Sequence, residues 1–161
     1  QVSRDSRVPA ELAQSEFLPE RLPFEQKFDL VFAFSVFTHI SEAAHFASLK
    51  AIHGGLAEGG LFVVTIRPPA YIDFNPLMKP GIDRLGPDYA TKLRDSRYVF
   101  VPHETEGHPQ YDDAADDPMS YGETIITLPY VREKWGDLFE LLDVSVLTGD
   151  MYQVALTLRR R

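Results

Sequence analysis

The stretch KFDLVFAFSVFTHISEAAHFASLKAIHGGLAEGGLFVVTI, residues 27–66, decides the fold of this chain. It begins with the apolar run 28–34 and ends with another, 61–66; such runs are typical of strands buried on both faces of a parallel sheet. Between them, Ser41 is a predicted N-cap, and apolar residues recur at helical spacing up to the glycine pair 59–60, where we expect the helix to end. This order of elements predicts a right-handed βαβ unit.

The composition is that of one ordinary globular domain spanning residues 1–161. The chain is 44% hydrophobic and 25% charged, values typical of soluble proteins. It has no cysteine, which excludes disulfides, iron–sulfur clusters and thiolate zinc sites. No apolar run is long enough to cross a bilayer and no leader peptide is visible, so we expect a cytoplasmic protein without membrane contact.

The charge is unevenly distributed along the chain. The segment 98–131 contains seven acidic residues and no Lys or Arg, and it supplies most of the net charge of −8. Nucleic-acid binding requires clustered Lys and Arg, and the only such cluster is at residues 159–161. We therefore do not expect a nucleic-acid partner.

The remaining sequence predicts a long insertion followed by an antiparallel end. Residues 67–120 are rich in Pro and Gly, and we interpret them as a lid or substrate-selecting insertion within the domain. The segments 97–103 and 121–128 alternate enough to pair as a hairpin. A short helix is predicted from Pro129 through Trp135.

The last two predicted strands form a tight pair. They comprise residues 139–147 and 151–158 and are separated by three residues that include a glycine. This spacing suffices for a hairpin but not for a parallel crossover, so the two strands should be antiparallel. The sheet is therefore predicted to be mixed.

Three segments together resemble the C-terminal half of a class I S-adenosylmethionine-dependent methyltransferase. FDLVFAFSVFTHI (28–40) is similar to the family's fourth strand and the loop after it, and LKAIHGGLAEGGLFVVTI (49–66) to the following helix, turn and fifth strand. Residues 121–160 resemble the closing helix and reversed hairpin. The resemblance implies a Rossmann-like α/β fold with a mixed sheet, a C-terminal antiparallel hairpin and an incomplete N-terminal side.

The family's glycine-rich cofactor loop does not occur in this sequence. The resemblance therefore implies a C-terminal fragment that lacks about half of the cofactor site and is inactive alone. The parent enzyme would transfer a methyl group from S-adenosylmethionine to an oxygen or nitrogen of a small molecule or sugar. Two alternatives are a non-catalytic remnant or interaction domain of this fold, and half of another Rossmann-like enzyme, such as a dehydrogenase. The terminal antiparallel hairpin argues against the dehydrogenase.

The resemblance also implies where the cofactor lies. Glu16 and Phe17 match the family's segment that meets the adenine. The backbone of Phe34, Ser35 and Val36 would approach the methionine part of the cofactor, at the carboxyl end of the first predicted strand.

His39 is the best-placed titratable side chain for catalysis. With an ordinary pKa of about 6.5, it can accept a proton from an acceptor hydroxyl at neutral pH. The alternative is a structural histidine, hydrogen-bonded in the turn before the helix. His45 and His53 lie on the predicted helix, and we expect both at its surface.

Three aromatic residues, Tyr98, Tyr121 and Trp135, are predicted to line the acceptor pocket, although lone aromatics often serve packing alone. The predicted insertion also contains side chains with nitrogen and oxygen atoms that can bind a metal: His103, His108, Asp112 and Asp113. Their spacing matches no compact ligand motif, so we expect no metal.

An isolated half-sheet should also expose one flank of its 28–34 strand. Residues 1–27 are too polar and too interrupted by proline to make more than one short covering strand. Since a bare strand edge is a template for pairing, we expect the isolated chain to form a two-fold homodimer.

Overall fold

The structure is a computed structural model that describes residues 10–75, 89–103, 121–150 and 152–161. The elements are, in chain order, strand β1 (Phe28–Ala33), helix α1 (Glu42–Gly55), strand β2 (Leu56–Ile66), helices α2 (Tyr71–Phe74) and α3 (Tyr89–Ser96), strands β3 (Tyr98–Pro102) and β4 (Gly122–Ile126), helix α4 (Leu128–Lys134), and strands β5 (Phe139–Val146) and β6 (Val154–Arg160). Within the described ranges, these strands form a four-stranded sheet in the order β1-β2-β6-β5 and a two-stranded ribbon, β3-β4.

The strand directions confirm the predicted mixed sheet. Strands β1 and β2 are adjacent and parallel, with Leu30 opposite Leu61. Strand β6 runs antiparallel to both β2 and β5, and β3 pairs antiparallel with β4 as predicted. Met151, the predicted first residue of the last strand, lies outside the described residues.

Helix α1 begins as predicted and ends earlier. Ser41 caps it by accepting a hydrogen bond from the Ala44 amide. The predicted end at the glycine pair 59–60 is wrong, because the helix stops at Gly55 and β2 already begins at Leu56. The two glycines instead lie in β2 at an irregularity of its pairing with β1. Gly59 has a φ of 69°, a conformation that favours glycine.

The core lies on one face of the four-stranded sheet, under helices α1 and α4. Phe37, in the loop after β1, packs with ring centroids 5.5 Å from Phe62 and 5.8 Å from Trp135. The same cluster includes Leu49 from α1 and Leu156 from β6. The loop after β1 is thereby anchored to the core.

His45 was predicted at the surface, and that prediction is wrong. Its side chain is fully buried, with its ring 4.8 Å from that of Phe37. Nε2 donates a 2.7 Å hydrogen bond to the Phe37 carbonyl oxygen, which gives this polar group a partner inside the core. Burial lowers the pKa of His45 to about 4, so the ring is neutral at pH 7.

The prediction that β1 is covered on both faces is also wrong within the described chain. Val31 and Ala33 turn into the core. Leu30 and Phe32 point to the opposite face, where they are 54% and 62% exposed. Strand β1 is also an edge of the described sheet. This apolar edge is the surface from which self-association was predicted.

The pKa of His45 predicts a loss of stability in acid. Because the folded-state pKa is depressed below about 6.5, unfolding is favoured by proton uptake as the pH falls from about 6.5 towards 4, by up to about 1.4 kcal/mol per pH unit. His45→Gln retains an N–H donor but does not titrate. Urea unfolding at pH 7 and pH 5 should show a smaller loss of stability for the variant than for the natural chain, and equal losses would contradict this assignment.

We expect the exposed edge to drive dimer formation of the 161-residue chain at tens of micromolar. Phe32→Glu places a charge on β1 and should shift sedimentation towards the monomer. Val146→Glu is the matched control, because Val146 is an exposed apolar residue at the opposite edge of the sheet. A natural chain that sediments as a monomer, or equal effects of both substitutions, would contradict self-association through β1.

Candidate active site at the ends of the first two strands

The loop after β1 and the residue after β2 meet at the carboxyl ends of two parallel strands. Strand β4 lies against this loop: the Thr124 and Gly122 amides donate to the carbonyl oxygens of Thr38 and His39 at 2.9 Å and 3.0 Å. Open sheets bind ligands in the crevice outside the carboxyl ends of their parallel strands. The ribbon β3-β4 therefore forms a wall of this crevice.

The backbone at Ser35 adopts a left-handed conformation, with a φ of 57°. Its amide donates a 2.8 Å hydrogen bond to Oγ1 of Thr65 on β2. Thr65 in turn donates at 2.6 Å to buried Gln153. Phe34 and Val36, on either side of Ser35, are exposed. The predicted cofactor-binding backbone is thus held by its middle residue, and its neighbours face solvent.

Both ring nitrogens of His39 are engaged. Nδ1 lies 2.7 Å from the Gly122 carbonyl oxygen, which can only accept, so Nδ1 carries the hydrogen. Nε2 then accepts a hydrogen bond from Nη2 of Arg67 at 3.1 Å. Burial lowers the pKa of His39, the Gly122 bond opposes this, and Arg67 and His103 lower it further. His39 is therefore neutral at pH 7 and fixed in one tautomer.

A largely buried ion pair organises the site. Arg67, the residue directly after β2, pairs with Glu123 on β4, and its Nη1 also donates to the Thr38 carbonyl oxygen at 3.1 Å. The guanidinium carbon lies 4.5 Å above the ring centroid of Tyr71, whose hydroxyl donates to Glu123 at 3.3 Å. The pair joins the end of the main sheet to the ribbon.

His103, at the end of β3, shares the same carboxylate. Its Nε2 lies 3.1 Å from Oε1 of Glu123, and 47% of its side chain is exposed. Burial of the rest, followed by the charge of Arg67, lowers its pKa. His39, His103 and Glu123 each offer a ligand atom, all within 4.8 Å of one another. This cluster is a potential metal site, although the guanidinium of Arg67 already neutralises the carboxylate.

The predicted pocket aromatics separate into two groups. Tyr121 lies in the site, with its ring stacked 4.7 Å from that of His39. Trp135 is in the core and only 1% exposed, so it leaves no surface for an acceptor. Tyr98 is also buried, and its hydroxyl donates to the Ile40 carbonyl oxygen at 3.2 Å. Burial raises the pKa of the Tyr98 hydroxyl, and the ring packs in the core cluster.

The predicted adenine-binding residues lie in the N-terminal segment. Glu16 and Phe17 are exposed and line a cavity of about 540 Å³ that is formed by residues 14–21 and 23. Their adenine contact stays a prediction. Three of the considered metal ligands, His108, Asp112 and Asp113, lie outside the described residues.

Sequence reasoning missed Arg67, Glu123 and His103 as one cluster. Arg67 is the first residue of the predicted insertion, and Glu123 is one of the seven acidic residues of the segment 98–131. Two signals were available: Arg67 directly follows a buried strand, and Glu123 lies in a segment predicted to be a strand. A charge in either place requires a partner.

Comparison with known proteins identifies the fold. No family model matches the chain, and no curated protein matches it. Among solved structures, the glycopeptide N-methyltransferase MtfA complexed with S-adenosyl-L-homocysteine superposes with a TM-score of 0.56 at 13% identity, over 99% of this chain and 68% of that chain. An S-adenosylmethionine-dependent methyltransferase from Clostridium acetobutylicum gives 0.52 at 14% identity, over 99% and 68%. The pyocyanin biosynthetic protein PhzM gives 0.50 at 16%, over 91% and 34%.

These similarities confirm the predicted resemblance at the level of fold. The chain has a methyltransferase-like fold over nearly its whole length, while it spans only 34 to 68% of the three proteins just named. In the described ranges, no helix combines the length and the apolarity needed to span a membrane.

The charge of Arg67 predicts a coupled change in both histidines of the site. Arg67→Gln should raise the pKa of His39 and of His103, since the guanidinium lowers both and its removal also leaves Glu123 unpaired. Arg67→Lys keeps the charge and is the control. Imidazole C2–H resonances followed by NMR against pH measure both values, and unchanged values in Arg67→Gln would contradict the described geometry.

Proposed function

We propose that this chain is the C-terminal part of an S-adenosylmethionine-dependent methyltransferase. One observation carries the proposal: on a fold shared with such enzymes, a cluster of titratable side chains lies where parallel strands end. The acceptor is an oxygen or nitrogen of a small molecule or sugar.

The cofactor supplies a methyl group that its sulfonium already activates for displacement. The protein must therefore align donor and acceptor and, for a hydroxyl acceptor, remove a proton. The backbone 34–36 fits a ligand lying across the strand end, because Thr65 holds Ser35 while Phe34 and Val36 are exposed. Glu16 and Phe17 would meet the adenine from the N-terminal segment.

His39 is the predicted proton acceptor of this reaction. Its Nδ1 hydrogen is directed at Gly122, which leaves the Nε2 lone pair as the basic position. That lone pair accepts from Arg67, so an acceptor hydroxyl must displace this bond to reach it. His39→Gln would remove the basic position while keeping a polar side chain.

The insertion 67–120 is proposed to select the acceptor. Its described parts include α2, α3 and β3, and His103 directly follows β3, with its ring next to that of Tyr121. Tyr121 is 40% exposed while stacked on His39. We propose that its exposed part contributes to acceptor binding.

A non-catalytic interaction domain is the second candidate. The observation that favours it is the full engagement of His39 and of the Arg67–Glu123 pair within the protein itself. In such a domain the cluster would be structural, and the insertion would supply the interacting surface.

Calorimetry with S-adenosyl-L-homocysteine tests the fragment interpretation. The sequence lacks the loop that holds the carboxylate and ribose ends, and each missing charge-assisted hydrogen bond forgoes about 1.5–3 kcal/mol. Three such losses weaken binding by several decades, so calorimetry on the 161-residue chain should detect no micromolar binding. Micromolar affinity would contradict the fragment interpretation.

Millimolar ligand should nevertheless perturb the strand end. We expect saturable NMR shifts of the amides of Phe34, Ser35 and Val36 on addition of S-adenosyl-L-homocysteine. Thr65→Val removes the hydroxyl that holds Ser35 and should weaken these shifts, whereas Thr65→Ser keeps the hydroxyl and should preserve them. Absence of any shift at 34–36 in the natural chain would overturn the cofactor role.

A further inference from the structure

We infer that His103, oriented by Glu123, is the residue that takes a proton from a hydroxyl acceptor at this site. The inference rests on the proposed methyltransferase function and assigns the proton to a different side chain from the one the sequence indicated. Four observations support it: the tautomer of His103, the exposure of its side chain, its contact with Tyr121 and the charges around it.

The carboxylate of Glu123 determines the tautomer of His103. A carboxylate can only accept hydrogen bonds, so the 3.1 Å contact between Nε2 of His103 and Oε1 of Glu123 places the hydrogen on Nε2. The lone pair of the neutral ring is then on Nδ1. A histidine whose N–H is fixed by a carboxylate is the arrangement that orients catalytic bases.

The two histidines differ in whether a described residue hydrogen-bonds the nitrogen that carries the lone pair. Among the described residues none hydrogen-bonds Nδ1 of His103, and nearly half of the side chain is exposed. Both nitrogens of His39 are occupied by Gly122 and Arg67. Within the described residues, a hydroxyl that bonds Nδ1 of His103 therefore displaces no hydrogen bond.

His103 lies beside Tyr121, which is a residue predicted to bind the acceptor. Its amide donates to the Tyr121 carbonyl oxygen at 3.0 Å, and its ring lies edge-on to that of Tyr121 with centroids 5.3 Å apart. The rings of His103 and His39 are 6.3 Å apart. An acceptor resting on the exposed side of Tyr121 would thus lie beside His103.

The charges around His103 suit a proton acceptor. It faces Glu123 directly, with Arg67, His39 and Tyr121 nearby. Burial and Arg67 keep the ring neutral at pH 7, and after proton uptake the imidazolium donates a charge-assisted hydrogen bond to Glu123.

The reaction balances with this single base. As the acceptor oxygen forms its bond to the methyl carbon, the carbon–sulfur bond of the sulfonium breaks and its electrons remain on sulfur. The hydroxyl proton moves to Nδ1 of His103. The products are the methylated acceptor, S-adenosylhomocysteine and an imidazolium, which releases its proton to solvent.

A divalent metal held by His39, His103 and Glu123 is the competing interpretation. It is disfavoured because Nδ1 of His39 carries a hydrogen directed at Gly122, and because Glu123 already pairs with Arg67. A metal would have to bind next to that guanidinium charge, and like charges at such distances repel strongly in a partly buried site.

The test uses long-range ¹⁵N NMR of the imidazoles in the 161-residue chain at pH 7, with millimolar phenol as the hydroxyl probe. We expect His103 with hydrogen on Nε2, and an Nδ1 resonance that shifts on phenol addition in the natural chain and in His39→Gln. Glu123→Gln should lower the pKa of His103 further, since the imidazolium loses its carboxylate partner. His103→Gln provides the assignment control.

Three results would overturn the inference: hydrogen on Nδ1 of His103, a phenol response confined to His39, or an unchanged pKa of His103 in Glu123→Gln. Micromolar binding of Zn²⁺ that is lost in His103→Gln and in Glu123→Gln would replace it with the metal site. None of these measurements uses the cofactor, so failure here is distinguishable from failure of the S-adenosyl-L-homocysteine experiment.

Discussion

The site depends on the largely buried ion pair between Arg67 and Glu123. Burying two charges carries a large desolvation penalty, which close pairing and further hydrogen bonds must offset. Here Arg67 has Thr38 and His39 as additional partners, and Glu123 has Tyr71 and His103. Removing either member of a buried pair typically costs about 3–5 kcal/mol. The geometry of both histidines therefore depends on this one contact between the main sheet and the ribbon.

The two histidines have different positions relative to that pair. His39 is held by the backbone of β4 and by the guanidinium, and so connects the loop after β1 to the ribbon. His103 contacts the carboxylate through Oε1 of Glu123, and 47% of its side chain is exposed. A methyltransferase needs little acid–base machinery, because the methyl donor is already activated. One oriented base beside an aromatic surface is consistent with that requirement.

Much of the fold was predictable from the sequence because apolar periodicity reports strands and helices directly. The parallel pair β1-β2 and the hairpin β5-β6 followed from apolar runs and connection lengths. Periodicity does not report buried polar side chains, so it missed His45, which the Phe37 carbonyl makes tolerable inside the core. It also missed Arg67 and Glu123, which become partners only once β4 docks against the loop. The sequence also did not predict that the face of β1 with Phe32 is exposed, because an apolar run does not specify which segment covers each face of a strand.

The left-handed backbone at Ser35 has a mechanical consequence. A non-glycine residue in this conformation costs about 1–2 kcal/mol, and here it is retained by a relay from Ser35 through Thr65 to Gln153, which itself donates to Asp150 at 2.8 Å. These hydrogen bonds connect the loop after β1 to the turn that precedes β6. The end of β1 and the turn between β5 and β6 are therefore mechanically coupled: a distortion of one would be transmitted to the other through these hydrogen bonds.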